Sequence, residues 1–166
     1  GCNRQALTDE DKLGRDLFAN WCLEAGCTVS VDEMGNMFAR RPGSNTDAPP
    51  VITGSHLDTQ PTGGKFDGVY GVLAGLEVLR TLEEAGIETD APLEVVVWTN
   101  EEGARFAPAM VGSGVWASEM QRDEVYAIED KAGKRFGEEL ERIGYRGDLP
   151  AKPRPIRAAF EAHIEQ

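Results

Sequence analysis

The chain has 166 residues, of which 40% are hydrophobic, and a formal net charge of −12 at pH 7. This length provides one domain with a hydrophobic core and is too short for two full domains. The acidic charge argues against nucleic acids and anionic membranes as partners, because both bind surfaces rich in lysine and arginine. The sequence has no basic and apolar leader, and no apolar run approaches the roughly 20 residues that span a bilayer. We therefore expect a cytoplasmic protein without a membrane partner.

The cysteines predict no cross-links. Cys2, Cys22 and Cys27 are odd in number and show no C-x-x-C spacing. This pattern indicates neither a disulfide framework nor a thiolate zinc site. We expect Cys22 and Cys27 to be small side chains of the core.

The N-terminal part of the chain predicts a helix followed by a hairpin. Thr8, with Asp11 three residues later, resembles a capping box and predicts a helix over residues 8–26. Residues 27–31 alternate between apolar and polar side chains as a strand does, and residues 36–40 follow a turn at 33–35, which predicts a β-hairpin or two neighbouring strands. A turn-rich loop over residues 42–50 then leads into an apolar run that begins at Val51.

A strand, a helix and a second strand follow this loop. Residues 51–53 are typical of a strand, and apolar residues recur at helical spacing over residues 68–85. Residues 93–99 form a β-branched run with little polar alternation, which is typical of a strand buried on both faces. This order is the βαβ signature of an α/β fold whose sheet contains parallel strands.

The remaining residues predict short helices and one more strand. We expect a loop and short helix over 106–116, two amphipathic helical pieces over 123–144 that break near Gly133, and a strand over 156–164. The sequence contains no internal repeat, nucleophile elbow, P-loop or dinucleotide fingerprint.

Three polar residues around the first strand-to-helix connection form a candidate metal site. His56 and Asp58 would lie on the same side of the strand end, because side chains alternate with a period of two. Asp67 precedes Gly68 at the start of the next helix. An imidazole and a carboxylate suit a divalent metal, and Asp58 would accept the second ring N–H of His56. The same residues also fit a structural interpretation, with a loop histidine and aspartates in a turn and at a helix N-cap.

A second group of polar residues reaches the same rim of the predicted sheet. Glu101 and Glu102 follow the second strand, and ligands of open α/β sheets gather at the carboxyl ends of strands. Adjacent residues at a strand end face different directions, so one glutamate is free to bind metal while the other handles a proton. The second histidine of the chain, His163, lies near the end of the final strand. A solvated turn pair and an ordinary strand histidine are the alternatives.

Four separated motifs connect these residues to a known family. The motifs are GSHLDT, GGKFDGVYG, TNEEGARF and HIEQ, in this order along nearly the whole chain. Together they resemble the N-terminal catalytic portion of the M20-type metallopeptidase superfamily. The resemblance is closest to its amidohydrolase branch of N-carbamoyl-L-amino-acid hydrolases, β-ureidopropionases and allantoate amidohydrolases. It implies an α/β three-layer sandwich, in which a mixed, mostly parallel sheet is flanked by helices.

The resemblance also implies two divalent metal ions in the site. His56, Asp67 and His163 would hold one ion, and Asp67 would bridge to a second ion held by Glu102. A bridging carboxylate of this kind is typical of hydrolases whose two metals lie roughly 3.5–4 Å apart. The ions would be zinc, or else manganese, cobalt or nickel, because His/Asp/Glu sites accept all of these.

The resemblance also implies roles for three further residues. Glu101 would be the general base, Asp58 would orient His56, and Gln166 of the HIEQ motif would lie beside the substrate. The reaction would be hydrolysis of the carbamoyl or ureido C–N bond of N-carbamoyl amino acids or related compounds. An aminoacylase or peptidase of the same superfamily is the first alternative, and the second is a non-catalytic truncated fragment that binds at most one metal.

Members of this family are about twice as long as the chain. In them a lid and dimerisation domain is inserted soon after the HIEQ strand, and the catalytic domain then resumes to supply a further histidine ligand. We therefore expect residues 1–166 to form the N-terminal part of the catalytic domain, without the lid and the C-terminal part. The full-length protein would be a homodimer that binds a small carbamoyl or ureido substrate, and the isolated chain would be inactive.

Overall fold

The computed structural model describes all 166 residues, which form five helices and five strands. In chain order the elements are α1 (Asp9–Glu24), β1 (Thr28–Val31), β2 (Met37–Arg41), β3 (Val51–His56), α2 (Val69–Glu84), β4 (Leu93–Trp98), α3 (Val111–Trp116), α4 (Arg122–Tyr126), α5 (Phe136–Arg142) and β5 (Ala158–Phe160). The hairpin, the βαβ unit and the short helices lie where the sequence predicts them. None of the helices combines the length and the apolar character that a bilayer crossing requires.

All five strands belong to one sheet, in the order β1-β2-β4-β3-β5. Strand β2 pairs antiparallel with both β1 and β4, whereas β3 pairs parallel with both β4 and β5. Four strands therefore point the same way and only β2 is reversed. This arrangement confirms the predicted mixed, mostly parallel sheet of an α/β fold.

Helix α1 begins where the capping pattern predicts. The Thr8 side chain accepts a hydrogen bond from the Asp11 backbone N–H at 3.2 Å and so satisfies one free donor of the first turn. The helix ends at Glu24, and Gly26 follows with a φ of 75°. A residue with positive φ just past the last turn is a common helix stop, and glycine adopts it without strain.

The main core lies between the sheet and helices α1 and α2. Alternate residues of β2 and β4 point into it, which leaves the residues between them on the opposite face. Its eleven buried members are Phe18, Cys22, Cys27, Met37, Ala39, Leu57, Val72, Leu76, Leu79, Val95 and Val97. All three cysteines of the chain are free, and burial raises the pKa of Cys22 to about 12. The two core cysteines therefore serve as apolar packing groups.

The opposite face of the sheet carries aromatic side chains. Trp98 of β4 meets Phe38 of β2 edge to face, with ring centroids 6.1 Å apart, and it also contacts Trp116 of α3 at 5.4 Å. Beyond this contact, helices α3, α4 and α5 enclose a second core with the N-terminal segment. Its members are Ala6, Leu7, Met34, Phe106, Val111, Val115, Val125, Phe136, Leu140 and Ile143. Helices thus flank the sheet, as expected.

The final strand is much shorter than predicted. The sequence predicts a strand over residues 156–164, but only Ala158–Phe160 pair with β3. Strand β5 is an edge strand of the sheet and pairs only with residues 51–53 of β3. The chain then leaves the sheet, and Glu161 accepts a hydrogen bond from the Ser55 hydroxyl at 2.5 Å. This departure directs the last six residues across the end of β3.

Candidate metal centre

The site forms where β3 and β4 end side by side. His56 is the last residue of β3 and pairs in parallel register with Trp98, the last residue of β4. The chain after Trp98 then carries Glu101 and Glu102 to the same rim. His56 is completely buried, whereas Glu101 is partly exposed. The two motifs meet because parallel neighbours end at the same edge of a sheet.

The Nε2 atom of His56 is the centre of a cluster of possible metal ligands. It lies 3.2 Å from His163 Nε2, 3.4 Å from Asp67 Oδ1 and 3.3 Å from Glu101 Oε2. The His163 Nε2 and Asp67 Oδ1 atoms are 3.6 Å apart. The predicted ligands His56, Asp67 and His163 thus offer three atoms that all face one another.

These distances fit a single bound cation. In a tetrahedral site with ligand bonds of 2.0–2.2 Å, two ligand atoms are separated by about 3.4 Å. The three measured separations within the triad are 3.2, 3.4 and 3.6 Å. Two imidazole nitrogens and one carboxylate oxygen are also the donor set that zinc and related divalent ions accept. The residues present therefore fit a metal ion at this position.

Asp58 orients His56 through its backbone and not through its carboxylate. His56 Nδ1 lies 2.8 Å from the Asp58 carbonyl oxygen, and the nearest carboxylate oxygen is 3.8 Å away. This differs from the sequence-based prediction, which places the side chain against the ring. A carbonyl oxygen can only accept, so Nδ1 carries the proton and Nε2 presents its lone pair to the cluster.

The Asp58 carboxylate instead holds the two glutamates in place. Its two oxygens accept hydrogen bonds from the backbone N–H groups of Glu101 and Glu102, each at 3.1 Å. Asp58 therefore links the end of β3 to the turn that follows β4. Burial raises the pKa of the Asp58 carboxyl, although the nearby His56 opposes this rise. Desolvation also raises the pKa of Glu101, again against the attraction of His56.

The residue before α2 is glycine for a steric reason. Gly68 has a φ of 65°, and a Cβ atom there would lie 2.5 Å from the ring atoms of His56. A side chain at this position would be strained and would displace the imidazole. Gly68 thus allows the start of α2 to approach His56 closely, and it places Asp67 beside the ring.

Glu102 lies outside the triad of possible ligands. Its Oε2 atom accepts a hydrogen bond of 2.6 Å from Gln60 Nε2. Its Oε1 atom is buried and has no hydrogen-bond partner. A buried carboxylate oxygen without a donor is costly unless a cation or a water molecule satisfies it. The free oxygen of Glu102 is therefore consistent with a second cation.

Gln166 contacts the carboxylate that the resemblance describes as a bridge. Its backbone N–H donates to Asp67 Oδ2 at 2.8 Å, and its side-chain oxygen accepts from the Phe66 N–H at 3.1 Å. A Cβ atom at Gly64 would lie 2.1 Å from that side-chain oxygen. The glycine-rich loop thus leaves room for Gln166 at the open side of the site.

Two residues of the site, Gln60 and Ser55, were not found from the sequence. Gln60 contacts Glu102, and Ser55 donates to Glu161 of the segment that carries His163. The only available signal was their position within or next to the motifs. Their side-chain partners are 42 and 106 residues away along the chain, so local patterns do not reveal them.

The chain belongs to the peptidase family M20/M25/M40. The model of this family matches residues 52–166, which include the possible ligands His56, Asp67 and His163 and both glutamates. The fold and the site thus define a member of a family of hydrolases, and the predicted resemblance to the M20 type is confirmed.

Three known proteins show which members of the family the chain is similar to. An N-carbamoyl-L-amino-acid amidohydrolase of Rhizobium meliloti is 59% identical over the whole chain, which covers 40% of that protein. A ureidoglycolate hydrolase of Arabidopsis thaliana is 34% identical over 98% of the chain, which covers 36% of that protein. The crystal structure of a hydantoinase/carbamoylase-family amidase of Burkholderia multivorans superposes on the chain with a TM-score of 0.97 and 62% sequence identity. The match covers 99% of the chain and 40% of the amidase. The chain thus spans about 40% of the length of the Rhizobium and Burkholderia proteins.

Proposed function

We propose that the chain is the N-terminal part of the catalytic domain of a metal-dependent amidohydrolase. Its substrates would be N-carbamoyl amino acids or related ureido compounds, and the bond cleaved would be the carbamoyl or ureido C–N bond. The observation that carries the proposal is the convergence of His56, Asp67 and His163, with Glu101 at 3.3 Å from the same histidine. The full-length protein would be the polypeptide in which these residues and the rest of the catalytic domain occur together.

Two divalent cations, zinc or else manganese, cobalt or nickel, complete the proposed site. His56, Asp67 and His163 would hold the first, which the separations of their ligand atoms support. Asp67 and Glu102 would hold the second, which the free buried oxygen of Glu102 supports. When bound, such cations lower the pKa of water toward neutrality and stabilise negative charge on a carbonyl oxygen.

Glu101 is the residue that moves the proton in this proposal. Its carboxylate lies 3.3 Å from His56 Nε2 and is partly exposed, and it forms no ion pair with a lysine or an arginine. It would take a proton from the attacking water and return it to the leaving nitrogen, a role worth typically 10²–10⁴-fold in rate. The backbone of Glu101 is held by Asp58, so the carboxylate stays near His56 while the proton moves.

The products follow from the bond that breaks. Water attacks the carbamoyl carbon, and the C–N bond to the amino acid breaks as the nitrogen receives the proton. An N-carbamoyl amino acid then yields the free amino acid and carbamic acid, and the carbamic acid breaks down to carbon dioxide and ammonia. The relatives named N-carbamoyl-L-amino-acid amidohydrolase and ureidoglycolate hydrolase support carbamoyl and ureido substrates.

An ammonia-release screen of the full-length protein tests this proposal. The substrates are a series of N-carbamoyl-L-amino acids and ureidoglycolate, with N-acetyl amino acids and dipeptides assayed for the released amino acid. We expect turnover of a carbamoyl or ureido compound and its loss after treatment with a chelator. Turnover of N-acetyl amino acids or dipeptides alone would favour the aminoacylase or peptidase alternative.

We further propose that the isolated 166-residue chain has no turnover. The resemblance places the remaining histidine ligand and the lid in the other part of the catalytic protein, which would be a cytoplasmic homodimer. The chain would then correspond to a fragment that binds at most one metal. Measurable ammonia release by the purified 166-residue chain would contradict this part of the proposal.

A further inference from the structure

A side-chain hydrogen bond connects Gln60 to Glu102 at the candidate site. Gln60 Nε2 lies 2.6 Å from Glu102 Oε2 and 3.5 Å from the Glu102 carbonyl oxygen. The short first distance identifies the carboxylate as the main acceptor. Gln60 is half-buried and follows β3 by four residues, and Glu102 follows β4 by four residues. The contact therefore joins the loop after β3 to the loop after β4.

Both ends of this contact are held by the backbone. The Gln60 carbonyl oxygen accepts from the Thr59 hydroxyl at 2.9 Å and from the Gly63 N–H at 3.2 Å. The Glu102 N–H donates to Asp58 at 3.1 Å. Because both backbones are fixed, the amide of Gln60 selects one orientation of the Glu102 carboxylate. In that orientation Oε1 is buried, is free of donors and remains available to a cation.

The chemical type of the donor is the informative feature. Three buried acidic side chains of this chain pair with arginine: Asp11 with Arg15, Glu94 with Arg40 and Arg154, and Glu139 with Arg105 and Arg142. Each of these three carboxylates has its charge compensated by a guanidinium group. A fourth, Asp32, accepts from the neutral amide of Asn36, but backbone N–H groups satisfy its other oxygen, whereas Oε1 of Glu102 has no donor. The Glu102 carboxylate instead accepts a hydrogen bond from the neutral amide of Gln60. This bond orients the carboxylate but leaves its negative charge uncompensated. A charged donor would compete with a divalent cation for that charge.

We propose that Gln60 is a positioning residue for the second cation of the site. Its amide would hold Oε2 of Glu102 so that Oε1 is presented to the cation with full negative charge. This inference rests on the proposed function, because it requires a second cation at Glu102. Outer hydrogen-bond partners of metal ligands typically change metal affinity by 10–100-fold.

Titration of the metal-free full-length protein with Co²⁺ tests this role. Equilibrium dialysis counts the bound ions, and visible absorption reports their coordination. We expect two Co²⁺ per wild-type site. In Gln60→Leu the weaker of the two binding constants should fall by about tenfold or more, while the tighter one stays unchanged. Gln60→Asn, which withdraws the amide by one methylene, should show the same loss if the leucine variant does not fold.

Gln60→Lys separates positioning from a general structural role. Lysine keeps a donor near Glu102 but adds a positive charge, so we expect it to weaken the second cation at least as much as leucine does. Retention of wild-type affinity in Gln60→Lys, or an unchanged weaker constant in Gln60→Leu, would overturn the inference. The matched control is Gln5→Leu, because the side chain of Gln5 makes only an exposed hydrogen bond, to Asn3.

The wild-type titration distinguishes the two proposals. A wild-type protein that binds a single Co²⁺ would contradict the two-cation part of the proposed function and, with it, the role of Gln60. Two bound ions in the wild type together with unchanged binding in the Gln60 variants would contradict the role of Gln60 alone.

Discussion

His56 and His163 point their Nε2 atoms at each other across 3.2 Å, although 107 residues separate them in the sequence. The Nδ1 atom of His56 donates to a carbonyl oxygen, so its Nε2 faces His163 with a lone pair. A second imidazole nitrogen at this distance is favourable only if a proton or a cation lies between the two. Asp67 Oδ1 lies 3.4 Å from His56 Nε2 and adds negative charge to the space between the two imidazoles. A divalent cation is therefore the better candidate for that space.

Replacement of His56 tests the first cation directly. His56→Ala removes the nitrogen around which the triad is arranged, so we expect it to empty one metal site of the full-length protein. Elemental analysis of the purified variant measures this loss, and the Gln5→Leu variant serves as the control for handling. Full metal occupancy in His56→Ala would show that the histidine is not a ligand.

Replacement of Glu101 separates proton transfer from metal binding. Glu101→Gln keeps the shape of the side chain but removes its ability to accept a proton, so we expect normal metal content and a kcat about 10²–10⁴-fold lower. The matched control is Glu129→Gln, because Glu129 lies outside the site and pairs with Arg135. An unchanged kcat in Glu101→Gln would remove Glu101 from the role of general base.

The buried pair of Asp11 and Arg15 should contribute strongly to stability. Arg15 Nε lies 2.9 Å from Asp11 Oδ2, and both side chains are completely buried. Arg15→Met leaves the carboxylate buried without its counter-charge, so we expect the free energy of unfolding to fall by about 3–5 kcal/mol. Urea denaturation measures the change.

A matched exposed pair on the same helix provides the comparison. Lys12 Nζ lies 2.6 Å from Asp16 Oδ2, but the two side chains are 42% and 41% exposed. Lys12→Met should therefore change the free energy of unfolding by less than about 1 kcal/mol. Equal effects of the two substitutions would contradict the importance of burial for the Arg15 pair.

Asp32 should make stability depend on pH. Burial raises the pKa of Asp32 to about 6, although Asn36 and the backbone donate hydrogen bonds to its carboxylate. The folded state therefore binds a proton more tightly than the unfolded state, whose Asp pKa is about 3.9. The contribution of Asp32 to the free energy of unfolding is therefore absent above its folded pKa of about 6. It stabilises the folded state increasingly as the pH falls from about 7 toward 4.

The comparison with Asp32→Asn isolates this effect. The asparagine cannot titrate, so only the wild type gains stability by binding this proton. When the pH falls from 7.5 to 4.5, the free energy of unfolding of the wild type should rise by about 2 kcal/mol relative to that of the variant. Urea denaturation at a series of pH values measures the shift. Parallel pH profiles for the two proteins would show that Asp32 does not carry the raised pKa.

The sequence predicted the elements of the fold well where the pattern is local. The run over β4 is almost free of polar residues because both faces of this strand are buried, and Thr8 marks the start of α1 because its hydroxyl caps a free N–H. The final strand was predicted too long. Alternation of apolar and polar residues does not reveal that β3 offers a partner to only three of its residues.

The sequence also identified the residues of the triad, because imidazole and carboxylate groups within recognisable motifs are chemically distinctive. It did not identify the bonds that orient them. His56 binds the carbonyl of Asp58, whereas the Asp58 carboxylate holds the turn of Glu101 and Glu102. Both arrangements are compatible with the same residues at the same spacing, so residue type alone could not distinguish them.

By itself, the amino-acid sequence determined the α/β class, the order of the elements and the candidate ligands, because these depend on periodicity and on side-chain chemistry. Only the tertiary structure decided which atoms meet, since it brings the end of β3, the turn after β4 and the C-terminal segment to one rim of the sheet. The 3.2 Å between His56 and His163 and the 2.6 Å between Gln60 and Glu102 arise from this convergence. Distances between side chains that are far apart in sequence are set by packing, which local patterns do not encode.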